Sequence, residues 1–580
     1  MRMPFKKHVA SSLILGTCLC LSGCATISQS AEAPHDSAFP GAAAHANDSR
    51  HGRPATGRAP HTSGSAKITA DTPPGLSRSW PLFGNNAWQD RYSPIAAISA
   101  HTISGLRMAY DIALPNMHGG NESYPEEQNG VLYITGSNAS VYAIDVKTGA
   151  VKWSYTPAQS DTYGLPQINR GVAMGRTRLY VLTAEDKLLA LRKSDGRLLY
   201  AVQVAKPQTG IFESMAPLIA GHAIIVGSSG GDEGVRGFIA AYSRSTGHFL
   251  WRFYTVPRRG VNWLPKTGHH GGGAVWTTPT YNPASGLIYF GAGNPSPDYY
   301  GAARPGPNPY TDAVVCIQAN TGALRWYRQE VPHDLWDYDV ASPPLLFMQG
   351  SQLRVAEAGK DGYLYEWNAS NGRPVTKPVA FVKEDHVAPT PAGNLEWPGP
   401  DGGANYGPSA YDPETADIYV AGINGPETLY ASPQQHSGHT LDLGTAQSPA
   451  SRSHFTGTIT AIHAGTGTIA WQIATPAPPI GGVTATAGGV LFFGLANGVL
   501  EGVAASSGHV LWRRDTGVPI GAAPIVFADG QTVFVAVALG GAASLSTLFP
   551  YSGLQRLLVY RLNPQATTLR ERSHASIPRG

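Results

Sequence analysis

Short apolar runs and polar turns alternate along most of the chain, and one combination of them recurs. An apolar stretch such as Val141-Tyr142-Ala143-Ile144 leads into an Asp-x-x-Thr-Gly core, and a second run follows that carries a tryptophan. The clearest copies run from Ala143 to Trp153 and from Ala241 to Trp251; five more centre on Gly196, Gly322, Gly372, Gly467 and Gly508. A small residue opens the phrase, a polar one stands two further on, Thr-Gly or its like follows, and an aromatic stands four past the glycine. The polar core is hairpin chemistry, with glycine supplying the positive φ of the turn. The phrase predicts strand, tight turn, strand. Its recurrence marks one supersecondary unit used many times.

Successive glycines lie 47, 51, 75, 50, 95 and 41 residues apart. A four-stranded blade takes about 40–50 residues. The 95-residue interval leaves room for one more blade with a worn phrase, around Ser409-Ala410-Tyr411 to Val420. The expected fold is therefore all-β, an eight-bladed β-propeller with tryptophan-docking repeats. Pairing of the N-terminal strands with Leu557-Leu558-Val559-Tyr560 is expected to close the ring. Radial repetition leaves few exposed sheet edges. Composition agrees: only 14% of residues are charged, with 68 Gly and 46 Pro, which suits strands and turns rather than helices.

The first residues read as a processing signal. Arg2, Lys6 and Lys7 precede an apolar run from Val9 to Leu21, and Leu21-Ser22-Gly23-Cys24 follows. That tetrad resembles the lipobox of bacterial lipoproteins, in which the cysteine is lipidated and becomes the new N-terminus. An ordinary signal peptide cut nearby is the alternative, and both readings export the chain. Residues 1–23 are then the signal and 24–78 a lipidated, disordered tether rich in Ala, Pro, Ser, Gly and His. The propeller spans 79–565, and 566–580 form a flexible tail. By analogy with other lipoproteins, Ala25 after the cysteine favours the periplasmic side of the outer membrane.

Loss of the three basic residues of 1–23 reduces 42 basic residues to 39, against 39 acidic. That neutrality argues against nucleic acid as the partner. Cys18 and Cys20 leave with the signal and Cys24 carries lipid, so Cys316 alone remains in the body and no disulfide forms there. Cys316 occupies the small-residue slot of its repeat and is expected to be packed core rather than a nucleophile. No Cys-x-x-Cys-His occurs, which excludes a covalently attached haem.

Candidate chemistry lies between the repeats. Pro332-His333-Asp334-Leu335-Trp336-Asp337-Tyr338-Asp339 is the densest acidic and aromatic cluster. In an extended segment Asp337 and Asp339 face the same side. Two carboxylates there ionise together only with a cation beside them, and a hard ion held by oxygens is the natural one. A surface loop of solvated acids accounts for the cluster equally well.

A longer series of fragments carries a resemblance. Trp80-Pro81 and Arg91-Tyr92-Ser93-Pro94 open it, and Asn169-Arg170-Gly171, Gly227-Ser228-Ser229-Gly230-Gly231-Asp232 and Gly234-Val235-Arg236-Gly237 follow. Gly271-Gly272-Gly273-Ala274-Val275-Trp276, Tyr289-Phe290-Gly291-Ala292-Gly293-Asn294-Pro295 and the acidic segment complete it. In order and spacing the chain resembles the quinoprotein alcohol dehydrogenases, eight-bladed propellers that hold pyrroloquinoline quinone (PQQ) and a metal ion on the axis. The resemblance makes Asp337 the base that takes the alcohol proton and Lys360, in Gly359-Lys360-Asp361-Gly362, the cation beside the reactive carbonyl. It makes Asp232, Asn294, Asp337 and Asp339 the metal ligands, although Glu233 competes with Asp232 and Asn294 also suits a plain turn. Calcium is the implied ion, with a lanthanide open because Asp339 resembles the extra acid of lanthanide-using members. Trp276 matches the indole stacked on the quinone. Glu122, Arg170, Ser214, Ser229, Gly230, Gly231 and Asn405 match positions around the cofactor's oxygens and carboxylates. An inter-blade salt bridge would account for Arg170 otherwise.

The chain also departs from that pattern. Gly164-Leu165 replaces an adjacent cysteine pair, Ala274 replaces a threonine, and Ile480 stands where a cavity tryptophan is usual, which widens the expected pocket. Glu126-Glu127-Gln128 interrupts an apolar strand for no reason legible in the sequence. The implied activity is PQQ-dependent oxidation of an alcohol, polyol or sugar to its carbonyl, with electrons passed to a separate cytochrome or membrane quinone. Two alternatives stand beside it: a degenerate propeller that has lost its cofactor, and a lipidated scaffold of the outer-membrane assembly type.

Overall fold

A computed structural model of the chain describes residues 77–158, 167–206, 210–257, 271–433 and 443–562. The signal, most of the tether, Gly164-Leu165 and the tail after 562 lie outside the described residues. No α-helix occurs among the described residues; eight sheets of four or five strands account for the body.

Seven blades follow chain order. Their innermost strands begin at Glu126, Ala173, Leu218, Thr280, Leu345, Ala410 and Val483, and their outermost strands end at Tyr155, Gln203, Tyr254, Gln329, Ala380, Thr475 and Asp515. The eighth closes the ring: Ile525–Asp529, Thr532–Leu539 and Leu554–Leu562 from the C-terminal side pair with the outer strand Arg107–His118 from the N-terminal side. This corrects the expected worn blade around Ser409 to Val420. Ala410–Asp412 and Asp417–Asn424 are the first two strands of the blade whose phrase is centred on Gly467. The 95-residue interval instead holds an inserted sheet of Asn394–Glu396, Glu427–Ala431 and Thr445–Pro449. The closing blade has no phrase because its third and fourth strands belong to opposite ends of the chain and no turn joins them.

The recurrent phrase is a docking device between blades. Trp153, Trp251, Trp326 and Trp471 each lie over the phrase glycine of the next blade, Gly196, Gly322, Gly372 and Gly508. Each indole N–H donates to a backbone carbonyl there: of Lys193 at 3.1 Å, Ala319 at 3.0 Å, Ala369 at 3.0 Å and Ala505 at 2.9 Å. A β-carbon on Gly322 would stand 2.6 Å from the Trp251 ring, and its φ of 70° is the left-handed turn value. The small-residue slot lies directly across the ladder from the aromatic, at Ala143–Trp153, Ala241–Trp251 and Cys316–Trp326, with a register shift just beyond. Cys316 is buried in that slot, and burial pushes its thiol up to about 12.

Residues 78–93 thread among the innermost strands. The backbone N–H groups of Ala528, Glu127, Tyr281, Leu346, Tyr411 and Ala485 donate to the carbonyls of Arg78, Trp80, Ala87, Trp88, Asp90 and Arg91. Arg91 is fully buried, bonded to the carbonyls of Phe83, Val483 and Pro524, with its guanidinium over the rings of Trp80 and Tyr124. The segment ties six blades together at the axis. It also accounts for part of Glu126-Glu127-Gln128. Glu127 pairs with Trp80, its side chain accepts the Gly130 N–H at 2.8 Å, and Gln128 accepts from Lys193 of the next blade.

Candidate active site

Strands alternate in direction, so each blade's connections fall on two faces. First-to-second and third-to-fourth turns, which include the phrase glycines, share one face. Second-to-third loops and the links between blades share the other. Every candidate residue lies on the second face. Glu122, Arg170, Ser214, Trp276, Asp337, Asp339 and Asn405 sit in links between blades; Ser229 to Asp232, Asn294 and Lys360 sit in second-to-third loops. Two small sheets build up that face. Gly271–Gly272 pairs with Pro295–Ser296, and the insertion brings Gln447 over the rim.

These residues surround one cavity of about 280 Å³. Its walls include Glu122, Arg170, Ser214, Ser229, Gly230, Gly231, Asp232, Trp276, Asp337, Asp339, Lys360 and Asn405. Asn294 stands behind the wall: its backbone N–H donates to Asp339 Oδ1 at 2.7 Å, and its buried side-chain Nδ2 has no partner. Ile480 does not line the cavity, contrary to expectation. It is buried in the core cluster with Tyr406, and its carbonyl abuts Gly407 where a β-carbon would sit. Ala274 does line the cavity, close to Gly231.

On one side, Arg170 organises the wall. Its guanidinium reaches Glu122 Oε2 at 2.6 Å, Ser214 Oγ at 2.8 Å and the Trp276 carbonyl at 3.2 Å. It lies over the Trp276 ring at 4.8 Å and the Tyr406 ring at 4.5 Å, and its Nε is buried without a partner. Glu122 also accepts the Ala543 N–H at 2.9 Å, and Ser214 and Ser229 share a hydrogen bond at 2.8 Å. The Arg170–Glu122 pair is thus an inter-blade ion pair and a cavity wall at once.

On the other side, acids gather around Lys360. Its ammonium donates to Asp337 Oδ1 at 3.1 Å, the Asp337 carbonyl at 2.9 Å and Asp339 Oδ2 at 3.0 Å. The segment is not extended: Asp337 has φ of 63°, held by Asp334, whose carboxylate accepts the N–H groups of Trp336, Asp337 and Tyr338. Asp337 and Asp339 nevertheless meet at one cation. Tyr338 turns away to Glu396 Oε1 at 2.9 Å and the Pro398 carbonyl at 2.6 Å.

Burial pulls the Lys360 ammonium down, but Asp337, Asp339 and Asp232 outweigh it and hold the group well above the usual lysine value. Burial raises Asp337 well above the carboxylate range, with Lys360 opposing and Asp339 and Asp232 adding to the rise. Asp232 is pushed up to about 6 by burial and the neighbouring Asp339 charge. Raised carboxyls around a single ammonium describe a site short of positive charge.

Several residues in or behind the cavity wall carry no signal in the sequence. Asp401 is half-buried and pushed up to about 6 by desolvation, with Lys360 as its opposing charge. Asp298 is fully buried with neither oxygen bonded, raised by burial and by Asp232 and Asp337. It stands four residues past Asn294, and its separation from the acidic segment hid it. Tyr406 and Gln447 line the wall too, and nothing in their local sequence marks them.

The donor set suits both groups that the resemblance implies. Arginine, serine hydroxyls and an indole face suit a flat tricarboxylate. The acids are all-oxygen donors, as a hard cation needs, although among the described residues no three carboxylates, imidazoles or thiols stand close enough together to hold an ion as placed.

The profile of the glucose/ethanol/alcohol dehydrogenase β-propeller domain, a PQQ family, matches residues 80–391. The chain belongs to the PQQ-dependent alcohol dehydrogenase family. It is 30% identical over 529 residues to the quinohemoprotein alcohol dehydrogenase of Comamonas testosteroni, covering 80% of this chain and 73% of that one. It is 29% identical over 553 residues to the dehydrogenase subunit of the alcohol dehydrogenase (quinone) of Gluconacetobacter polyoxogenes, covering 82% and 73%. The solved structure of the Comamonas testosteroni protein superposes with a TM-score of 0.77 at 26% identity, over 87% of this chain and 83% of that one. A second profile, outer membrane protein assembly factor BamB, matches residues 456–575, where the repeat runs through the last blades. In this family member the acids and Lys360 form one wall of the cavity and Arg170, Trp276 and the serines form another.

Proposed function

We propose that this protein is an exported quinoprotein dehydrogenase that oxidises an alcohol, polyol or sugar to the carbonyl compound. The observation that carries the reading is the convergence of Asp337, Asp339, Asp232 and Lys360 opposite Arg170 and Trp276 around one cavity. Arg170, Ser214, Ser229, Glu122, Asn405 and the backbone at Gly230 and Gly231 would hold PQQ, with Trp276 beneath its rings. Asp232, Asp337, Asp339 and Asn294 would hold Ca²⁺, and a lanthanide is the variant that Asp339 suggests. When bound, PQQ would supply a hydride acceptor and the cation a Lewis acid.

The chain's own residues do the rest. Asp337 accepts the hydroxyl proton, and its second contact, the Lys360 ammonium, stabilises the carboxylate form that can do so. Lys360 also provides positive charge where an oxyanion develops. The segment 78–93 binds the inner strands together and Gln447 covers the rim, so the reacting atoms sit in a walled cavity. Electrons then pass to a separate cytochrome or membrane quinone. The signal at 1–23, lipid at Cys24 and the tether 24–78 would place the enzyme on the periplasmic side of the outer membrane.

The test is reconstitution. Purified protein is given PQQ and Ca²⁺, washed, and assayed for retained quinone absorbance and for dye reduction with primary, secondary and polyhydric alcohols. Bound quinone with turnover is expected. Bound quinone without turnover would favour the degenerate propeller, and no binding would return the scaffold reading to which the match over 456–575 points.

A further inference from the structure

Among the turns opposite the cavity, one sector gathers basic side chains. Two clefts open there. Arg176, Arg178 and Arg244 line one, with Tyr180 and Ser245. Lys152, Arg176, Arg192 and Lys193 line the other, beside Trp153. The clefts share Arg176 and Thr177, and neither wall contains a carboxylate. Counter-charges stand only at one end: Arg192 pairs with Asp195 at 2.7 Å, and Glu126 and Glu127 act on Lys193. Arg176, Arg178 and Arg244 have no carboxylate partner among the described residues. Arg178 instead donates to the carbonyls of Arg244 at 3.2 Å and Ser245 at 2.7 Å, which locks the turns of two neighbouring blades together.

Apolar side chains flank the same cations. Outer strands start on this face, because they follow the phrase turns. Val151, Leu324, Ile469 and Val510 are single exposed residues at such starts. The two basic blades expose pairs, Leu198 with Leu199 and Phe249 with Leu250; Phe249 is 56% exposed and Leu250 42%. The chain also arrives on this face. Arg78 and Trp80 bond to Ala528 and Glu127, near the ends of inner strands that lead into these turns. The blade containing Glu127 adjoins the basic sector.

We propose that this sector docks on anionic phospholipid headgroups. Arg176, Arg178 and Arg244 take the phosphates, and Phe249 and Leu250 enter the interface, so that the cavity opens away from the membrane. Guanidinium groups with no carboxylate to neutralise them, beside exposed apolar side chains, are the combination that a lipid surface rewards. An acidic electron-accepting protein fits less well, since electrons leave from the cavity on the other face. The docking goes beyond the dehydrogenase reading and rests on it for two points: the lipid anchor that would bring this face to a membrane, and the cavity on the other face from which electrons would leave.

The test uses the mature chain, residues 24–580 with Cys24→Ser, so that neither lipid nor the apolar run of the signal contributes. It is sedimented with vesicles of pure phosphatidylcholine and with vesicles of equal parts phosphatidylcholine and phosphatidylglycerol. Binding to the anionic vesicles alone, weakened by salt, is expected. Arg176→Glu with Arg244→Glu should weaken it at least about fivefold for each residue changed, and Phe249→Ser should weaken it further. Circular dichroism and PQQ-dependent turnover of the variants verify folding. Equal binding to both vesicles, binding to neither, or binding unmoved by the charge reversals would overturn the docking. Lipid attachment to the unaltered chain is read separately by mass, so failure of the anchor and failure of the surface are distinguishable.

Discussion

On the face of the repeated turns, connections are short, each phrase glycine lies close to a side chain of the blade before it, and chain entropy is spent on hairpins. On the opposite face the same blades are joined by long irregular links, small added sheets and buried acids, several of them without hydrogen-bond partners. One face is regular because each copy seats its glycine against the blade before it, four of them under an indole. The other is irregular because each link supplies a different group to one cavity. Stability and chemistry are therefore divided between faces, and substitutions on each should report on one and spare the other.

The sharpest break is expected at the cavity. Asp337→Asn keeps the shape of the side chain and removes its ability to take a proton. Turnover in the PQQ- and Ca²⁺-loaded enzyme should fall by about 10²–10⁴-fold, with the melting temperature nearly unchanged. Full turnover in that variant would remove Asp337 as the base. On the turn face, Trp326→Ala empties the space over Gly372 and loses the bond to the Ala369 carbonyl. Urea unfolding should show a loss of about 3–5 kcal/mol, with KM and kcat close to those of the unaltered enzyme.

A smaller effect separates the acids of the two faces. Glu366 lies far from the cavity walls, accepts the Gly465 N–H at 2.7 Å and is raised by burial to about 7 from 4.5. The folded state holds this proton more tightly than the unfolded chain. Its contribution to stability is therefore fully present below pH 4.5 and is lost as pH rises through 7. Glu366→Gln keeps an acceptor for Gly465 and removes the titration. The stability difference between acidic and mildly alkaline solution should narrow by about 3 kcal/mol. An unchanged difference would show that Glu366 ionises as freely folded as unfolded.

The same division decides what could be read from the sequence. The docking phrase was legible because a hairpin glycine, a small slot and an indole recur at fixed offsets, and each has a physical reason to stay there. The ring closure at Leu557 to Tyr560 and the count of eight hold, but the eighth blade lies at that closure and not around Ser409 to Val420: its outer strand and its inner three come from opposite ends of the chain, so no local phrase marks it. At the site, the acidic segment stands out as the densest acidic and aromatic cluster of a sparsely charged chain, and Lys360 through the resemblance carried by Gly359-Lys360-Asp361-Gly362. Asp401 and Gln447 do not, since only the folding of a link and of a second-to-third loop brings them to the cavity, and Asp298 lies buried behind it. Ile480 differs in the opposite sense: its match to a cavity tryptophan puts it in the pocket, and the fold packs it into the core cluster with Tyr406 instead.

The finest comparison lies within the turn face itself. Gly322 and Gly350 both adopt positive φ, 70° and 58°, in turns of neighbouring hairpins. A β-carbon at Gly322 meets the Trp251 ring at 2.6 Å, whereas one at Gly350 meets nothing within 4 Å. Alanine at Gly350 should cost only the left-handed conformation, about 1–2 kcal/mol. Alanine at Gly322 should cost that and a further 1–3 kcal/mol or so for displacing a well-packed indole. The difference between the two variants, read from denaturant midpoints with unchanged slopes, isolates the docking contact from the turn. If the two alanines cost the same, the indole is free to move aside, and the phrase glycine is there for its φ alone.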